Sequence, residues 1–350
     1  MPNKIFKTVF TYTLIFMSFF VIIGALEPTT LEEYNGTIEH LNFNTLISFP
    51  EKALDSKNQN SNIYDETKIT PSEFTKILQE LYSNNYILIS LSELYFIDNN
   101  IIYPKTLFLP QNKKPIILSF NNVTYKSSYQ NSGEIDKIII DNNNQFATYS
   151  TKQNIQDRIA YNNEFLPILE NFIKHNPDFS FNNARGIIFL TISNGILGYK
   201  IDTKNSSSKH DIKRVSEITR RLKNLGWEFG SNNYDTTPDQ TLNNVEFINN
   251  INLWKKYIEP LIESTPHYSS INGSNITQDK DKLDILLQNK FTSFFYDNNT
   301  PSLTIKNNIV CMSKKRVDGN SLRTTPEIFN ELIDCKKVYD NQARKTPYPH

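Results

Sequence analysis

The sequence predicts an α/β protein in which a parallel sheet is covered by helices, and three observations predict it. Short apolar runs with strand character recur along the chain, as in Pro115-Ile116-Ile117-Leu118, Gly186 to Thr191 and Trp227 to Gly230. Between them lie longer stretches with apolar residues at helical spacing, such as Ile212, Val215, Ile218, Leu222 and Leu225. The two kinds alternate over most of the chain, which is the pattern of strands joined by helical crossovers.

In order, His40 to Ile47 reads as a first strand and Asp55 to Glu66 as a polar loop. Thr70-Pro71-Ser72-Glu73 is a capping box with proline at the first helical position, and Phe74, Ile77, Leu78 and Leu81 form the apolar stripe behind it. Tyr86 to Ile89 is the next strand, followed by the apolar run that ends at Asn121-Asn122. Ile138 to Ile140 and Phe146 to Tyr149, joined by an Asp-Asn-Asn-Asn turn, read as a decorating hairpin. A helix is expected over Leu166 to His175, with Pro167 tolerable only in its first turn. Ser208 to Leu225 is a helix with a Ser208/Asp211 capping box, closed by Gly226. Further helices are expected over Val245 to Ile262 and Lys282 to Gln288, with strands near Tyr268 and Phe294.

The bulk numbers exclude some partners. Lys plus Arg and Asp plus Glu are both 37, so the chain is formally neutral and lacks the basic excess of a nucleic-acid binder. Residues Thr8 to Leu26 carry no charge, follow Lys4 and Lys7, and precede Glu27, Glu32 and Glu33. Nineteen residues at ~1.5 Å each span roughly 29 Å, close to a bilayer's ~30 Å hydrocarbon core. The basic flank belongs on the cytoplasmic side, so the body is expected outside. Residues 1–27 are expected to be an uncleaved signal anchor. The alternative is a cleaved signal peptide, for which Ala25 suits the cut and Ile23 does not. Residues 28–39 read as a spacer and 40–350 as one domain. Outside the cytoplasm Cys311 and Cys335 are permitted a disulfide, and the sequence leaves their pairing open.

Several segments carry a resemblance. His40-Leu41-Asn42-Phe43, Phe181 to Thr191, Asn194 to Tyr199, Gly226 to Ser231 and Thr346 to Pro349 are similar to corresponding stretches of bacterial polysaccharide deacetylases of the NodB-homology type. The resemblance implies an irregular, incomplete (β/α) barrel behind the N-terminal transmembrane or signal segment. It also implies hydrolysis of carbon–nitrogen bonds other than peptide bonds, assisted by a Zn-type divalent cation. That family carries a base and a metal-ligating Asp at a strand end, where this chain has Asn121 and Asn122. After Ser231, two histidines four residues apart are replaced by Asn232 and Thr236. The family's Tyr-Pro-Phe-Gly corresponds to Ser270-Ile271-Asn272-Gly273, which keeps only the glycine. Lys314 to Gly319 matches a basic stretch followed by Asp-Gly and reads by itself as a solvated basic turn.

Amides cannot take a proton near neutral pH and are weak ligands for zinc. The expectation is therefore a pseudoenzyme with no catalytic residue and no bound metal. It would bind cell-envelope glycan or a partner protein in a groove at Asn121, Asn122, Ser231, Asn232, Thr236 and Gly273. The alternative is a carbohydrate amide or ester hydrolase with a rearranged site, for which Asp235 and Asp239 are the candidate carboxylates. His267 is the histidine closest to these segments and the one to test.

Overall fold

Seven strands pair in sequence order and close on themselves: β1 (Glu39–Asn44), β2 (Lys114–Asn121), β3 (Ile187–Leu190), β4 (Glu228–Ser231), β5 (His267–Ser269), β6 (Ser293–Asp297) and β7 (Ile309–Arg316). Each pairing is parallel, including Lys315 and Arg316 of β7 against Leu41 and Asn42 of β1, which completes the ring. The computed structural model describes residues 30–125, 132–151, 153–192, 195–201 and 208–349. A closed ring leaves no edge, so the strands can be short and still satisfy their backbone groups.

The helices that cover the ring are α1 (Pro71–Ser83), α2 (Phe165–His175), α3 (Ser208–Asn224), α4 (Asn244–Tyr257), α5 (Lys280–Gln288) and α6 (Gly319–Thr324). The Thr70–Glu73 capping box forms as the sequence predicts. Alternate strand residues then divide two cores. Leu41, Phe43, Leu118, Phe120 and Leu190 face the helices, where Phe120 stacks on Phe165 with centroids 3.9 Å apart. Ile117, Ile187, Phe189, Phe295, Val310 and Met312 fill the barrel interior instead.

The N-terminal end of the lumen is plugged by Leu91, Leu94, Tyr95, Ile102, Leu107 and Leu109. They come from an antiparallel ribbon, Tyr95–Asp98 with Ile101–Pro104, and from the strand Phe108–Pro110. Phe108–Pro110 pairs with Leu31–Glu33, so residues 31–33 are part of the body and not spacer.

Other expectations change as well. The polar stretch 55–66 contains a helix, Ser61–Thr67, whose Tyr64 and Asp65 are buried. The long helix over 245–262 divides at Ile258 into α4 and a short turn, Glu259–Ile262. Pro260 has no N–H for the ladder and restarts the helix in its own first turn. Ser208 is already helical, and the Asp211 carboxylate accepts from the Lys200 backbone N–H. The stretch Lys314–Arg316 is no solvated turn: it ends β7, with Lys314 and Lys315 buried, and Asp318 caps α6. Cys311 and Cys335 are unpaired. Among the described residues no helix is long and apolar enough to cross a membrane, and Thr8 to Leu26 lies outside them.

The chain's end is fastened by Arg344, whose side chain is fully buried. It donates to both oxygens of Glu73 (2.6 and 2.7 Å), to Asp65 (2.9 Å) and to the Lys68 carbonyl (2.8 Å). Removing one partner of such a pair strands a buried charge. Arg344→Ala should therefore lower unfolding free energy by roughly 3–5 kcal/mol in denaturant titrations followed by tryptophan fluorescence. A loss below about 1 kcal/mol, the level of an exposed pair, would show that the C-terminal segment is peripheral to the fold.

Candidate functional site

The strands' C-terminal ends form the mouth of the barrel, where side chains from different strands meet. The lumen changes character along its axis. Above the apolar plug lie His40 and His267, each edge-on to Phe295 at 5.7 and 5.9 Å. Above them the lining is polar. Ser119 Oγ contacts His40 Nε2 at 2.8 Å and accepts from Asn42 Nδ2 at 2.8 Å.

Asn42 connects the two sides of the mouth. Its Nδ2 donates to Asn121 Oδ1 at 3.2 Å, and its Oδ1 accepts from Lys314 Nζ at 3.2 Å. Lys314 is ion-paired with Asp297, which also holds Arg316 at 2.8 Å. Burial pushes the Lys314 ammonium below its ordinary value while Asp297 opposes the shift. Burial raises the Asp297 carboxyl, but Lys314 and Arg316 outweigh it and hold it below the usual carboxylate range. Gly273 covers this pair. Its φ of +76° is in the left-handed region, and a Cβ there would lie 2.1 Å from Asp297 Oδ2.

Beside this network is a pocket of about 270 Å³ lined in part by Asn44, Asn122, Thr236, Ile271, Lys68 and Glu134. Asn122 and Thr236, far apart in sequence, thus share one cavity at the mouth. Asn122 is in the left-handed region at φ 55°, which asparagine tolerates better than most residues. Its Nδ2 donates to Asn44 Oδ1 at 3.1 Å, and its buried Oδ1 has no partner among the described residues. Lys68 pairs with Glu134 and donates to Thr45 Oγ1, fixing that wall. Behind it Glu164 is fully buried. Its Oε1 accepts from the N–H groups of Phe165 (2.8 Å) and Leu46 (3.1 Å), which caps α2. Burial raises its carboxyl to about 7, against the pull of those N–H groups, Lys68 and Tyr125.

The remaining predicted positions separate from this pocket. Asn121 is buried in the lumen network. Asn232 is also buried, with Nδ2 donating to the Ser269 carbonyl at 2.7 Å. Ser231 is fully buried at the end of β4, and Gly273 packs on Asp297. Asp235 caps the N–H of Thr237 at 2.9 Å, and Asp239 is buried against Asn233. Neither carboxylate lines the pocket. Lys314, Asp297, Glu134 and Glu164 are site residues that sequence reasoning missed. A lysine run just after the apolar Ile309 to Met312 was the one available signal, since alternation sends every second side chain of a strand inward.

These residues do not fit a zinc-type ion. The positions that would ligate it, Asn122, Asn232 and Thr236, offer two amides and a hydroxyl, neutral oxygens that are weak ligands for zinc. Among the described residues no group of three or more His, Cys, Asp or Glu could hold a metal.

No family model matches the chain, and no curated protein matches it in sequence. Among solved structures, the deacetylase PplD of Streptococcus pyogenes, in complex with acetate, aligns over 85% of this chain and 99% of its own, at 13% identity and a TM-score of 0.48. A putative polysaccharide deacetylase from Mycobacterium smegmatis aligns over 39% of this chain and 41% of its own, at 11% identity and a TM-score of 0.26. The assignment of the mouth therefore stands on the barrel's own topology and contacts.

His267 belongs to the lumen and not to the pocket. Burial lowers its imidazole to about 4, so the folded chain keeps it neutral while the unfolded chain protonates it near 6.5. Its contribution to stability is present above about 6.5 and is lost as pH falls toward about 4. Relative to His267→Phe, the wild type should lose about 1.4 kcal/mol of stability per unit of acidification between about pH 6 and 4.5. Unfolding titrations of both proteins across that range check this. A pH-independent difference would mean that the imidazole is solvated or paired.

Proposed function

We infer that this chain is a polysaccharide deacetylase-like barrel that has lost metal-dependent hydrolysis and binds cell-envelope glycan at the mouth pocket. It acts outside the cytoplasm, held at the membrane through Thr8 to Leu26. The observation that carries the reading is the pocket shared by Asn122 and Thr236. It lies where the family resemblance calls for a metal, and its lining is amides, hydroxyls and apolar surface with one charged pair, Lys68 and Glu134, matched to each other.

Asn44, Thr45, Thr67, Asn122, Thr124 and Thr236 supply amides and hydroxyls, while Tyr64 and Ile63 supply apolar surface. Sugars present the same mixture of hydroxyls and apolar ring faces. At about 270 Å³ the pocket is just below the roughly 300–1,000 Å³ of drug-sized sites, which suits one sugar unit with the rest of the glycan outside. The rearranged-hydrolase reading is weaker, because Asp235 and Asp239 both lie outside the pocket. Glu134 lines the pocket, but its charge is matched by Lys68.

Calorimetric titration with N-acetylglucosamine oligosaccharides tests the reading. Asn122→Ala should weaken binding about tenfold, the equivalent of one hydrogen bond of roughly 1.4 kcal/mol. Thr236→Arg, at an exposed position facing the pocket, should abolish binding by filling it. Unchanged affinity in both variants would remove the pocket from the account. Release of acetate dependent on added Zn²⁺ would overturn the loss of hydrolysis.

A further inference from the structure

The end of the barrel opposite the mouth has a feature that glycan binding does not use. The plug that closes the lumen is apolar on both faces. Tyr95 and Ile102 are on the ribbon's inward face, while Phe96, Ile101 and Tyr103 on its other face, and Phe108 on the strand beside it, point out and are each 40–49% exposed. With Leu31 on the paired strand, these outward faces hold five of the twelve large exposed hydrophobic side chains found among the described residues. Phe96 and Tyr103 stack at 5.1 Å, and Lys105 lies over the Phe96 ring. A cluster of exposed aromatic and aliphatic side chains on one face marks an interaction surface.

The chain's continuity with Thr8 to Leu26 bears on what that surface meets. Leu31, the first residue of the plug's outer strand, is five residues after Leu26, the last residue of the charge-free stretch. Five Cα steps reach at most about 18 Å even when fully extended. A bilayer's polar headgroup layer occupies roughly 5–8 Å on each side of its hydrocarbon core. A body tethered so closely cannot hold this face far from the lipid. Phe, Tyr and Ile beside a lysine also match the side chains that occupy the boundary between headgroups and acyl chains.

We propose that the plug face rests on the headgroup layer of the membrane that holds Thr8 to Leu26, so that the barrel stands with its mouth directed away from the bilayer. The inference rests on the anchored reading given above. Eight residues of β2 at ~3.3 Å each, tilted as barrel strands are, lift the mouth roughly 20 Å above the plug. Glycan is then met from the wall side, at a fixed height.

The test uses the full chain in phosphatidylcholine vesicles with a photoreactive benzophenone residue in place of Tyr103 or, as a control, Tyr161. Both tyrosines are 40% exposed, and Tyr161 lies three residues before the Glu164 cap, at the mouth end. Irradiation should give phospholipid adducts at position 103 and none at 161. The combined substitutions Phe96→Ser, Ile101→Ser and Phe108→Ser should remove the adducts while the chain stays with the vesicles. Equal labelling at both positions, or no labelling of a retained chain, would overturn the orientation and leave the anchor standing. Chain-to-chain adducts at 103 would overturn it in favour of a second copy on this face. A chain that does not stay with the vesicles would overturn the anchor and the orientation together, whatever its glycan binding.

Discussion

The mouth of this barrel depends on one buried charge. Lys314 ends inside the lumen, where an unpaired ammonium would be untenable, and Asp297 on the neighbouring strand matches it. The neighbouring groups are consistent with that pairing. Arg316 shares the carboxylate, Asn42 offers its oxygen to the ammonium, and Asn42's nitrogen then fixes Ser119 and Asn121. Gly273 is required where it is because the turn it forms lies against Asp297. A carboxylate at position 121 would sit two hydrogen bonds from the Lys314 ammonium. A divalent ion nearby would be repelled by that cation and unsupported by the amides around it.

The same axis separates packing from recognition. Below Asn42 and Ser119 the lumen holds two neutral imidazoles and then hydrocarbon, closed by the ribbon around Tyr95 and Ile102. Burial keeps His40 neutral as well, with its imidazole lowered to about 3. Above them, the pocket at Asn122 opens between the Lys68–Glu134 wall and Thr236. The wall is itself held from behind by Arg344, which accepts no freedom in the Lys68 carbonyl it binds. Rigid surroundings suit a binding site that offers few polar contacts.

Much of this architecture was legible in the sequence. The capping box at Thr70 and the apolar stripe of α3 are local signals, and both led to the right elements. The break at Pro260 was legible too but was overridden by a continuous apolar pattern on either side of it. The seventh strand was not legible. Lys314, Lys315 and Arg316 have the composition of a solvated turn, and only partners distant in the chain, Asp297 and Glu39, make their burial tolerable. The site divided in the same way. Asn122 and Thr236 were found through the family resemblance, whereas Glu134 and Glu164 lie in a segment whose polarity reads as loop and whose role is set by Lys68 and the start of α2.

The most direct test of the central claim is titration of Zn²⁺ into the parent chain and into the combined variant Asn122→Asp, Asn232→His and Thr236→His. This variant restores one carboxylate and two imidazoles, the donor set of an open catalytic zinc site. The account predicts no stoichiometric uptake by the parent and only weak uptake by the variant, because position 232 lies outside the pocket that 122 and 236 share and the outer contacts that would orient the ligands are missing. Uptake of one Zn²⁺ by the parent that disappears in Asn122→Ala would contradict it.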